Sequence, residues 1–186
     1  LEGGAFTNRA TLYTPTADGQ WRPQEAGDHL PVSSWSHPDR MPVFTLEGSA
    51  GTVVWLRLEN HPAPLSPSLR LLDERDLQLA RDRSLLSLGI YLGFGLLVLF
   101  LGWVHVRLYG DRVFLAYVAY VTCMLGFQIA FTGLGGLFFW PNLPRWNDAA
   151  PALFMLWLTG AGIWFVREVS ALSRYSRRLY RLATVW

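Results

Sequence analysis

The residues that could do chemistry are few and lie far apart along the chain. The sequence has four histidines and one cysteine. Two of the histidines stand near carboxylates, in Asp28-His29 and in His37-Pro38-Asp39, and such groups can serve acid–base catalysis or bind a metal. Their Pro- and Gly-rich surroundings favour a simpler role as turn residues. We therefore predict no catalytic, metal-binding or cofactor-binding residues and no cofactor, and we assign no ligand-binding residues.

Two further reactive side chains, His105 and Cys123, lie in long apolar stretches. No carboxylate accompanies His105 in its apolar run, so an interfacial polar residue is a simpler interpretation than a buried proton site. A single cysteine offers neither a disulfide nor a Cys-rich metal site. Cys123 is most simply a small apolar residue that fills space.

Sequence motifs of the common enzyme classes are absent. The chain contains no HExxH, GxSxG, GxxxxGK[ST] or GxGxxG pattern and no pair of carboxylates in its apolar stretches, so we predict no enzymatic activity in these residues. The formal charge of +2, from scattered arginines, gives no basic patch for nucleic acid.

The elements that must position His105 and Cys123 are membrane helices. Residues 84–106 include 23 residues without Asp, Glu, Lys or Arg, and a helix of that length, at about 1.5 Å per residue, crosses a hydrocarbon core of about 30 Å. Uncharged stretches of 32 and 18 residues follow, at 113–144 and 149–166. We predict three spans, at about 84–106, 113–132 and 149–166, with the lipid bilayer as a partner.

The residues before the first span have a different character. Residues 1–72 are rich in proline, and 9–23 alternate apolar and polar residues around Asp18-Gly19, which predicts a β-hairpin. Segments 41–47 and 52–60 predict a second strand pair. The chain should begin with a small extracytoplasmic all-β sandwich, resembling a jelly roll and incomplete at this length.

Finer expectations follow within this sandwich. Residues 26–40 read as a connection without a helix, 66–72 as a last strand, and the face of Thr52, Val54, Leu56 and Leu58 as buried. Four aromatic residues could form a sugar-stacking surface, but in so small a domain aromatics more often belong to the core. They are Tyr13, Trp21, Trp35 and Trp55.

A mixed-charge connector, residues 73–83, should be helical and lead into the transmembrane domain, residues 84–186. Arg75→Pro should break this connector. The sequence predicts that Gly133 to Gly136 ends the second helix and that Asn147 or Asp148 caps the third, with Pro151 in its first turn. The aromatic residues 138–140 between them suit a membrane interface, or alternatively a ligand-lined loop.

Small residues and arginines set the packing and the orientation of the spans. Gly89, Gly93 and Gly95 should allow close approach of another helix. Seven arginines lie near the spans on the side of the first short loop and of the Arg-rich segment 167–186, against five on the other side. The positive-inside rule then places this segment in the cytoplasm and the β-domain outside the inner (cytoplasmic) membrane, on the periplasmic or extracellular side.

Several motifs in order resemble a known family. These are LYTPTADGQWRPQEAGDHLPVS, VVWLRLEN, GIYLGFGLLVLFLGW, YGDRVFLAYVAYV, GLGGLFFWPNLPRWND and FVREVSALSRYSRRLYRL. Together they resemble the bacterial seven-transmembrane receptors with diverse intracellular signalling modules. The resemblance implies a jelly-roll sensor domain of the carbohydrate-binding type, seven helices and a cytoplasmic output module such as a histidine kinase, a diguanylate cyclase or a phosphatase.

The sequence departs from that pattern because it holds three spans, so we expect a piece of a longer receptor. Its outer domain should sense a small ligand, with carbohydrate as a candidate, and relay the signal to an output domain outside these residues. The remaining helices, the output domain and a second copy of the chain are the expected protein partners. An accessory or assembly subunit of a membrane transport complex is the alternative function.

Overall fold

The computed structural model describes residues 7–16, 18, 20–46, 51–61 and 69–170, which form a small sheet and three long helices. The strands are β1 (Arg9–Pro15), β2 (Trp21–Ala26) and β3 (Trp55–Glu59), and the helices are α1 (Glu74–Tyr109), α2 (Arg112–Phe131) and α3 (Pro144–Val169). A small β-domain followed by a region of apolar helices confirms the predicted fold class.

The chain divides into two compact units. One holds the β-domain together with residues 129–149, which comprise the end of α2, the start of α3 and the segment that joins them. The other holds 79–128 and the chain from residue 150 onward. A segment between two membrane helices is thus part of the same unit as the sheet.

The sheet is antiparallel, with strand order β2-β1-β3. The pairing of β1 with β2 confirms the predicted hairpin, which Thr16 N closes by donating to Gln20 O at 2.7 Å. The second predicted pair is wrong, because β3 pairs with β1 rather than with 41–47. Pro42 lies in the latter segment and has no N–H to donate, which disfavours a ladder there.

The core lies on one face of this sheet. Alternation along the strands turns Ala10, Leu12 and Ala26 to the same side, where each is at most 2% exposed. Val54, Leu56 and Leu58 pack against this cluster, as predicted, whereas Thr52 of the same predicted face is exposed. The residues that complete the cluster come from the connection after β2: Val32, Trp35 and Phe44.

That connection holds a short 3-10 helix, so the prediction that residues 26–40 contain no helix is wrong. Val32–Ser34 is a 3-10 turn in which Ser34 N donates to Pro31 O at 2.9 Å. Proline fits immediately before such a turn because its missing N–H would be unpaired in any case. Of the strand predicted at 66–72, residues 66–68 lie outside those described, and 69–72 hold a single bridge residue, Arg70, but no strand.

Each helix is long and apolar enough to cross a bilayer. Many large side chains of α1 are exposed, among them Leu86, Ile90 and Phe94 at 65% or more, as expected for side chains that contact lipid. The connector and the first span form one helix, because α1 runs without interruption from Glu74.

The third helix begins earlier than predicted. It starts at Pro144 and carries Pro151 in its interior, so neither Asn147 nor Asp148 is its cap. Proline is well suited to the first helical position, which explains the earlier start. Within the helix Pro151 cannot donate a hydrogen bond to the carbonyl of Asn147.

Glycines permit several close contacts between helices. A Cβ on Gly102 would lie 2.9 Å from a Val118 methyl group, and one on Gly126 would lie 2.5 Å from the Phe154 ring. Gly95 meets Leu125 in the same way, so the predicted role of small residues applies there. Among the described residues, nothing lies within 4 Å of such a Cβ on Gly89 or Gly93.

Candidate functional site

The side of the sheet opposite the core, which we call the outer face, carries aromatic side chains. In the antiparallel register Tyr13 lies between Pro23 and Trp55, and Pro15 lies opposite Trp21. Directly opposed residues of an antiparallel pair share a face. Trp55 is 64% and Trp21 47% exposed, so this face presents flat apolar rings.

A polar row lies beside the aromatic row on the outer face. Glu25, Thr11 and Arg57 oppose one another across the three strands. Arg9 Nη2 donates to both carboxylate oxygens of Glu25, at 2.8 and 2.9 Å, and Arg57 Nη2 lies 2.6 Å from Glu59 Oε1. Aromatic rings next to exposed charged hydrogen-bonding groups match the two kinds of surface on a sugar ring.

The four aromatic residues considered in the sequence analysis therefore do not lie on one surface. Trp35 is 6% exposed and belongs to the core, as the simpler interpretation predicted. Tyr13, Trp21 and Trp55 instead lie on the outer face. The difference follows from strand pairing, since the faces of β1, β2 and β3 are fixed only once their register is known.

The histidine–carboxylate pairs occupy turns and are not brought together. His37 Nε2 pairs with Thr45 Oγ1, and Asp39 Oδ1 accepts from Arg40 N at 2.6 Å. Over the described parts of the chain, no group of three or more His, Cys, Asp or Glu side chains could hold a metal. The residues present suit turns, as predicted.

His105 lies at a cleft of about 380 Å³ between the helices, with Phe114, Tyr117 and Phe165 among its lining residues. The ring stacks 5.8 Å from Tyr109, and Nδ1 donates to Leu101 O at 2.7 Å. This bond to its own helix satisfies one ring nitrogen and suits an interfacial histidine.

A second candidate site is the junction, by which we mean the contacts between the β-domain and residues 132–148. After α2 the backbone turns at Gly133, with φ +77°, where an added Cβ would lie 2.5 Å from Arg40 O. Arg40 Nη1 donates to Thr132 O at 3.3 Å. Leu137, in the π-helical turn Gly135–Phe139, packs against the core of the β-domain.

Two side-chain hydrogen bonds extend the junction toward α3. Ser33 Oγ donates to Asn142 Oδ1 at 2.6 Å, and Asn147 Nδ2 donates to Asp28 Oδ1 at 3.3 Å. Trp140 Nε1 donates to Asn147 Oδ1 at 3.1 Å. This last bond fixes the orientation of the amide, so that its NH₂ group faces Asp28.

The carboxyl group of Asp28 is electrostatically unusual. Burial and, second, the nearby charge of Asp148 raise the pKa of Asp28 from 3.8 to about 7. Both effects disfavour the ionised form, because burial removes water from the charge and a like charge repels it.

The junction is not evident from the sequence. The GLGG stretch predicts the end of a helix, which is confirmed, and the aromatic residues after it predict a membrane belt. Phe138 and Phe139 are 66% and 67% exposed, which suits that belt. The preceding residue, Leu137, instead packs against the core of the β-domain. A run of glycines before an apolar residue indicates that the backbone approaches another segment closely, but it does not indicate which segment.

Comparison with known proteins gives two family matches. Residues 84–186, more than half of the chain, match the family described as 7TM diverse intracellular signalling, and residues 3–73 match 7TMR-DISM extracellular 2. No curated protein and no solved structure matches the chain. The two matched regions correspond to the β-domain and to the helical region, in that order.

Proposed function

The chain belongs to the 7TM diverse intracellular signalling family, and from this premise we propose that its β-domain binds a small ligand outside the cell membrane and passes the signal to the helices. The family makes the chain part of a membrane receptor with an extracellular domain. The three apolar helices agree with a multi-pass membrane protein.

We infer that the ligand is a saccharide bound on the outer face. A row of exposed aromatic rings can stack against the C–H face of a sugar, and the neighbouring Arg and Glu side chains can hydrogen-bond its hydroxyls. The observation that carries this proposal is the exposure of Trp55, 64%, in the same cross-strand row as Tyr13.

The proposed relay runs through α1. Residues next to the β-domain and residues of the first span belong to one uninterrupted helix, Glu74–Tyr109. A shift or rotation at its start therefore reaches the membrane segment directly. The orientation that we propose places the β-domain on the periplasmic side of the inner membrane and the arginine-rich segment 167–186 in the cytoplasm, in reach of an output domain.

Saccharide binding can be tested with the full chain in lipid nanodiscs. Neutral oligosaccharides, maltohexaose and cellohexaose among them, are titrated while tryptophan fluorescence is recorded. Trp55→Ala should weaken binding by about two- to twelvefold, because a stacked ring contributes about 0.5 to 1.5 kcal/mol. Trp157→Ala removes a tryptophan of similar exposure, 50%, from α3 and should leave the affinity unchanged.

Equal affinities in the two variants would remove the outer face as the ligand site. No response of the unaltered chain to any saccharide of the panel would remove saccharides as the ligand class.

A further inference from the structure

The junction holds a segment between two membrane helices against the β-domain at several points. Contacts at Gly133, Leu137, Asn142 and Asn147 span the whole segment from the end of α2 into the first turns of α3. All of them belong to one compact unit. A change at the junction therefore acts on the ends of both helices.

Asp28 occupies a fixed position in the junction. Its N–H donates to Thr7 O at 3.1 Å. The preceding residue, Gly27, has φ +139°, and an added Cβ there would lie 2.5 Å from Asn8 O. The turn is thus packed tightly against the start of β1, which fixes the backbone position from which the Asp28 side chain extends toward Asn147.

The charges around Asp28 favour its neutral form. His29 follows it in the chain, Asn147 faces it from α3, and Asp148 lies next to Asn147. Of the charged groups described, Asp148 is the one whose field shifts the pKa of Asp28, and it raises it. Either form of Asp28 can accept from Asn147, but ionised Asp28 places a half-buried negative charge beside that of Asp148, which destabilises the closed junction.

We propose that the junction is a proton-operated latch: neutral Asp28 holds residues 132–147 on the β-domain, and its ionisation beside Asp148 releases them. The proton is thus a second input, separate from the saccharide. Its effect on signalling rests on the proposed receptor function, whereas the latch itself is a property of this chain.

The direction of the pH dependence follows from the two pKa values. The pKa of Asp28 is about 7 with the junction closed, and its ordinary value is 3.8. A closed state that binds the proton more tightly is favoured by acid. The ratio of closed to open junctions should be constant below pH 4, fall by up to about tenfold per pH unit between pH 4 and 7, and then level off.

Spin labels on the full chain in nanodiscs can measure this ratio. Nitroxides on Ser36→Cys and Leu143→Cys, in a Cys123→Ser background, flank the contact between Ser33 and Asn142; both positions are exposed. Pulsed dipolar spectroscopy then gives the distance distribution at each pH between 4 and 8. A second pair, on Thr16→Cys and Gln20→Cys, spans the hairpin closure and reports whether the β-domain stays folded.

We expect the short distance between the first pair to give way to longer ones as the pH rises from 4 to 7, while the hairpin pair stays unchanged. Asp28→Asn, which keeps the acceptor oxygen and lacks the charge, should hold the short distance at every pH. Asp148→Asn removes the repelling charge and so lowers the pKa of Asp28 in the closed junction. The fall should therefore be smaller and level off at a lower pH, with more of the short distance kept at pH 7 to 8.

Three results would overturn the latch. They are an unchanged distance in the unaltered background, an equal transition in Asp28→Asn, and a parallel change in the hairpin pair, which would indicate unfolding. No saccharide is present in these measurements, so their failure leaves the receptor proposal standing, and failure of the saccharide titration leaves the latch standing.

Discussion

At the scale of single residues, Gly133 is the position where backbone conformation and packing coincide. Its φ of +77° is one that residues with a side chain rarely adopt, and the space where a Cβ would stand is next to Arg40 O. Gly110 also has a positive φ, +62°, but nothing lies within 4 Å of its added Cβ among the described residues. Substitution of Gly110 should therefore cost backbone strain alone, whereas substitution of Gly133 should cost both strain and a steric clash.

Alanine at these positions gives a matched pair of variants. Gly110→Ala should lower the free energy of unfolding by about 1 to 2 kcal/mol, the cost of a left-handed conformation. Gly133→Ala should lower it by a further 1 to 3 kcal/mol or so, because the added methyl group overpacks against backbone. Denaturant unfolding followed by tryptophan fluorescence measures both. Equal losses would show that the backbone at Arg40 shifts to accommodate the added methyl group at no measurable cost.

Residue types predicted the chemistry of this protein only in outline. The histidines behave as turn and interfacial residues, as their surroundings indicated. The raised pKa of Asp28 could not be predicted from the sequence, because the groups around it include Asn147 and Asp148, more than a hundred positions away in the chain. A carboxyl group acquires an unusual pKa through its neighbours, and these are known only after folding.

At the scale of elements, the structure changes how the connector must be tested. Because α1 begins at Glu74 and its first backbone hydrogen bond runs from Leu77 N to Asp73 O, the N–H of Arg75 is not needed by the helix. Proline is tolerated in a first turn. The expectation that Arg75→Pro breaks the connector is therefore wrong, and that variant becomes a control.

Ala80→Pro is the informative substitution. Ala80 is exposed and lies in the second turn of α1, where proline removes a hydrogen bond to the carbonyl of Asp76 and costs about 3 kcal/mol. Hydrogen exchange at residues 77–84 should accelerate in Ala80→Pro and stay unchanged in Arg75→Pro. Saccharide affinity should be the same in both. Equal protection in the two variants would show that the connector tolerates a kink.

Periodicity predicted which elements exist better than it predicted their partners. The alternation in 52–60 identified both β3 and its buried face, but the strand pairs with β1, which is more than 40 positions earlier in the chain. Hydrogen-bonded partners at that separation depend on tertiary packing. The start of α3 was missed for a local reason, since Asn147 resembles a cap in sequence but uses its amide in the junction.

At the scale of the whole molecule, the orientation in the membrane is open to a direct test. Reporter enzymes that are active only in the periplasm are fused after Gly51 and after Arg181. The positive-inside rule predicts activity for the first fusion and none for the second. A cytoplasm-active reporter at the same two points is the control and should give the opposite pattern. Periplasmic activity at Arg181 alone would reverse the proposed orientation.

The sequence could not indicate that the two units interleave along the chain. Composition changes once, near the start of α1, and therefore suggested a β-domain followed by helices. The structure adds residues 129–149 to the unit of the β-domain. No compositional boundary marks this return, because an aromatic and glycine-rich loop looks alike whether it meets lipid headgroups or a folded domain.

The length of α1 has a mechanical consequence. Its 36 residues extend about 54 Å at about 1.5 Å per residue, whereas a hydrocarbon core is about 30 Å thick. An unbroken helix of this kind transmits a rotation at one end to the other end. Successive residues differ by about 100° around its axis. Inserting one residue before Leu85 would rotate the N-terminal part of α1 by about 100° and move it about 1.5 Å along the axis relative to the membrane span. Rotation and translation of this helix are therefore coupled by its geometry.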